Sequence, residues 1–146
     1  DIEIDEAGLP HADAYEKEEA SLELLFPLVA SYCPSSHIIA IFSAALSAGE
    51  VRKLTETVHS LDDGNTVFIV SSNMTGLTEN PEAEMDRMIE RLLSGEPLLD
   101  GYRKGHISAC GTPIIEAVSR AVPGKWELIG KAGNDRKAGH AALFRW

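Results

Sequence analysis

The stretches "HIIAIFS" (37–43) and "NTVFIVSS" (65–72) constrain this chain more than anything else in it. Each is a continuous apolar run rich in β-branched and aromatic residues, the pattern of a strand buried on both faces. Between them, "SAGEVRKLTETVHSL" (47–61) reads as a helix, with Ser47 as N-cap and Glu50 completing a capping box. Strands separated by helices imply a layered α/β sheet. The expected fold is therefore a three-layer α/β/α arrangement with a mixed, mostly parallel sheet.

The rest of the chain fits the same plan. "ASLELLFPLVASYC" (20–33) puts Leu22, Leu25, Val29 and Tyr32 on one helical face, and Pro27 predicts a kink or a late start. "NPEAEMDRMIERLLSG" has Asn80 as cap, Pro81 in the first turn and Gly95 at the end, with an apolar stripe of Met85, Met88, Ile89, Leu92 and Leu93. "EPLLDGYRKG" predicts a short helix or turn, and "SACGTPIIEAVSRAV" (108–122) a helix with Cys110 and Gly111 in its opening turn. "KWELIGKAG" (125–133) and "GHAALFRW" (139–146) have no helix between them, so they are expected to pair antiparallel at one edge.

A length of 146 residues suits a single domain, long enough to bury roughly 68–70% of the surface of its unfolded chain. No apolar run approaches the ~20 residues of a membrane-spanning helix. The opening "DIEIDEAGLPHADAYEKEEA" has neither the basic region nor the apolar core of a signal peptide. The first residue is Asp1 rather than Met, which suggests a fragment, a processed product or an excised domain.

Charge is concentrated at the start. The formal net charge is −10, and residues 1–23 hold nine acids against Lys17 alone. Residues 1–19 form an acidic leader, expected to be partly extended. Phosphate binding requires a basic footprint, so this balance argues against nucleic acid as a partner. Cys33 and Cys110 are the two cysteines, with no CxxC and no zinc spacing, which fits a reducing cytoplasm. Cys33 reads as a small buried hydrophobe.

Four segments, in order, resemble the MEMO-like family (AmmeMemoRadiSam system protein B), which shares its fold with the class III extradiol dioxygenases. Glu19-Ala20-Ser21-Leu22-Glu23 with Pro27 resembles the family's E-H-S-[LI]-E…P. Ser71-Ser72-Asn73-Met74-Thr75-Gly76 is similar to its S-S-D-x-[SC]-H. Ser108-Ala109-Cys110-Gly111 looks like its A-C-G, and "GNDRKAGHAALFRW" is similar to the family ending. The resemblance covers the later half of a family member. The earlier half, with its H-x-G-Y segment, has no counterpart.

The departures fall on the chemistry. The family's histidine positions in the first two motifs are Ala20 and Gly76, and its aspartate position is Asn73. A non-haem iron site needs about two imidazoles and a carboxylate. Alanine and glycine offer no lone pair, so no family-type metal site, and no other cofactor, is expected. The loop after 65–72 lies where open α/β sheets bind ligands, and its hydroxyls and amide suit a small polar molecule. Ser72, Asn73 and Thr75, with the surviving acid Glu23, are the candidate ligand-binding residues.

Cys110 is the remaining reactive group, near a helix N-terminus where the macrodipole favours a thiolate. His106, four residues earlier, approaches it if that turn is helical. The rival readings are a buried packing cysteine and an exposed helix glutamate. His11, His37, His59 and His140 share no spacing and read as surface or packing residues. No dinucleotide, P-loop or G-x-S-x-G signature is present.

These readings imply a vestigial, non-catalytic binding or structural module, cytoplasmic, that associates with a copy of itself or with a partner subunit. The first alternative is a metal-independent enzyme using Cys110 and His106 in thiol or redox chemistry. The second is a dioxygenase-like part whose metal ligands come from a missing N-terminal half or partner subunit.

Overall fold

A computed structural model of the chain describes residues 20–43, 46–75, 79–134 and 138–145, with backbone alone for Ala20, Ser21, 133–134 and 138–140. Glu19, Gly76, His11 and the acidic leader lie outside the described residues. The chain divides into two compact units, Asp1–Phe42 and Ser43–Trp146.

The first unit contains α1 (Ala20–Tyr32), which runs through Pro27 without stopping. Leu22, Leu25 and Val29 are half-buried, as their shared face predicts, but Tyr32 is exposed. Residues 37–43 follow without joining a helix or a ladder.

The second unit is built from locally specified helices. In α2 (Ala48–Leu61) the Ser47 hydroxyl accepts from the Glu50 N–H at 3.3 Å, while the Glu50 carboxylate accepts from the Ser47 N–H at 2.7 Å. Hydrogen bonding from Ser47, by its side chain first and its backbone N–H second, holds the Glu50 carboxyl below its ordinary value. α3 (Pro81–Ser94) starts at the Asn80 side chain, which accepts from the Ala83 N–H, and stops at Gly95 in a left-handed conformation, φ 72°. α4 (Leu99–Arg103) is a single turn, and α5 (Thr112–Ala121) begins later than the sequence predicts, with Pro113 in its first turn.

The two closing strands pair as expected. β1 (Trp126–Asn134) and β2 (Ala138–Arg145) form an antiparallel hairpin, with Leu128 opposite Leu143. The register then shifts, leaving Ile129 as the extra residue of a bulge and 68% exposed. The inner face, through Leu128 and Leu143, packs on a core containing Met85, Met88 and Ile89 of α3. Lys131 is tied to Asp86 at 2.6 Å, which raises the lysine's pKa. Arg145 donates to the Ser119 and Val122 carbonyls at the end of α5, where a cation complements the helix dipole. α2 packs against α5 through Val51, Leu54 and Val58. No described helix is long and apolar enough to cross a membrane.

The three-layer α/β/α fold with its mostly parallel sheet is not what forms. Among the described residues the sheet is the two-stranded hairpin alone. Residues 65–72 join no ladder; Val67 and Ile69 are 81% and 57% exposed, while Phe68 and Val70 are half-buried. The runs carry strand-type side chains, but a parallel ladder also needs a partner on the hydrogen-bonding edge, and composition does not specify one. Leu93, assigned to the α3 stripe, is 46% exposed.

Candidate functional site

Ser72, at the end of the 65–72 stretch, meets the turn that leads into α5. Gly111 is the cap residue of that helix and has no side chain to cap it. Its own N–H donates instead to Ser72 Oγ at 2.8 Å, across 39 residues of sequence. A Cβ at position 111 would stand 2.5 Å from Ser72 Cβ and 2.7 Å from its Oγ. The approach therefore requires glycine for steric reasons.

Ser72 has a single proton, and it goes to the Asn73 carbonyl at 2.8 Å. The Ser72 oxygen thus presents lone pairs to its other neighbours. Cys110 Sγ lies 3.8 Å from it, a contact in which the thiol is able to donate. Both Cys110 and Asn73 are exposed, so the group opens to solvent.

The turn itself is anchored on both flanks. Ser108 donates to Glu84 Oε2 on α3 at 2.6 Å. Ala109 is fully buried, and its carbonyl accepts from Thr112 Oγ1 at 2.8 Å. Met74 shares a buried cluster with Ala109, and Thr75 is buried too. Burial at alternate points of a short turn leaves Cys110 facing outward.

The structure brings together Ser72, Asn73 and Cys110. Thr75 lies in the same loop, but it is 8% exposed. Residues 107–109 are not helical, so the four-residue spacing does not stack His106 on Cys110. The His106 backbone N–H bonds instead to the Gly101 carbonyl at 2.8 Å, and the residue is exposed. Glu23 is exposed in the first turn of α1, in the other unit. Cys33, read as buried, is exposed. Among the described residues, no three His, Cys, Asp or Glu side chains are grouped so as to hold a metal ion.

No family model, curated protein or solved structure matches this chain. The local chemistry of the turn therefore carries the functional reading.

Two acids that sequence reasoning passed over organise the surroundings. Glu116, 3% exposed, accepts the Leu98 N–H at 2.7 Å and pairs with Arg120 at 2.6 Å. The Glu–Arg spacing of four was the available signal, since it sets an acid among Ile115, Ala117 and Val118 on a buried face. Glu84 had no such signal, because Ser108 reaches it from 24 residues away.

Proposed function

We propose that this chain is a non-catalytic binding or structural module, MEMO-like in its motifs, with neutral residues at the motif positions of the acid–base groups. The observation that carries the reading is the meeting of Ser72 and Cys110 at 3.8 Å. The two residues belong to separate segments of the resemblance, yet the group they form is neutral. A nucleophilic thiol needs an adjacent base or cation. Ser72 supplies a lone pair already shared with the Gly111 N–H, and the aspartate position beside it is Asn73.

Such a group suits a small polar ligand, held chiefly by the exposed Asn73 amide. The exposed thiols of Cys33 and Cys110 fit a reducing cytoplasm. Exposed Val67, Ile69 and Phe144 favour association with a second copy or a partner subunit. A second reading, a thiol enzyme, is favoured by the exposure of Cys110 beside a hydroxyl.

The test is an NMR titration of the labelled protein with small carboxylates, amides and sugars. Shifts concentrated at 71–73 and 109–112, without chemical change in the added molecule, support the binding module. Turnover of any of them, or shifts confined to other regions, contradicts it. Light scattering on the same samples should give a dimer mass at micromolar concentration, and a monomer throughout rejects self-association.

A further inference from the structure

We draw no further inference here: the strongest candidate, the stretch 65–71 with Val67 and Ile69 exposed and no ladder partner among the described residues, is an unpartnered apolar face, and nothing in the structure shows what covers it.

Discussion

The β1–β2 hairpin and the stretch 65–72 both touch the same core, the first through Leu128 and Leu143 and the second through Val70. The hairpin pairs along its length, from Trp126 opposite Arg145 to Asn134 opposite Ala138. Residues 65–72 pair with nothing among the described residues. The hairpin's partner follows it directly in the chain, so closing the ladder costs little loop entropy. A parallel partner would have to come from beyond a helix. Side chains of the right type bring a segment to a core, but only a correctly placed second backbone makes it a strand.

The largest effect that sharpens this contrast is expected in the core beneath the hairpin. Met85 is 1% exposed. Met85→Ala should destabilise the protein by about 3 kcal/mol, through lost burial and the cavity left behind. Urea denaturation measures it, and a loss below about 1 kcal/mol would mean that the hairpin and α3 do not enclose a packed core.

Gly111→Ala should come next, at roughly 2 kcal/mol, because its Cβ meets Ser72 at its own Cβ rather than at a flexible end. The backbone must shift, and Ser72 should part from Cys110. Amide shifts at 72, 73, 110 and 111 would report it. An unchanged midpoint with unchanged shifts would show that the loop does not pack on the turn.

The smallest stability change belongs to the unpaired stretch. Val67→Ser, at a position 81% exposed, should alter stability by no more than about 0.5 kcal/mol. A loss near 2 kcal/mol would place Val67 in a buried strand and remove the contrast with the hairpin.

What could be read in the sequence follows the same division. Ser47 with Glu50, and Asn80 with Pro81 and Gly95, specify helix ends within a few residues of themselves, and both helices form there. The hairpin was legible because its strands are neighbours in sequence. The pairing of 37–43 and 65–72 was not, since continuous apolar composition says nothing about which edge meets which. At the site, separate motifs point to Ser72 and to Cys110, but no spacing predicts that they touch. The sequence pattern places Cys110 in a helical turn. Thr112 and Pro113 open α5 after it instead, and this separates Cys110 from the helical stacking expected of His106.

The neutrality of the Cys110 group, which has no acid–base partner among the described residues, matters most to the non-catalytic reading. Its most direct test is the alkylation rate of Cys110 at neutral pH, followed residue by residue by mass spectrometry in the unaltered protein and in His106→Ala. Cys33, also exposed, serves as the internal reference. Cys110 should react at the same rate in both proteins, within about twofold, because Ser72 is its hydrogen-bond neighbour and the non-helical segment 107–109 does not stack His106 on it. A slowing of roughly tenfold or more in His106→Ala, with Cys33 unchanged, would show an imidazole acting on the thiol and would contradict the non-catalytic reading.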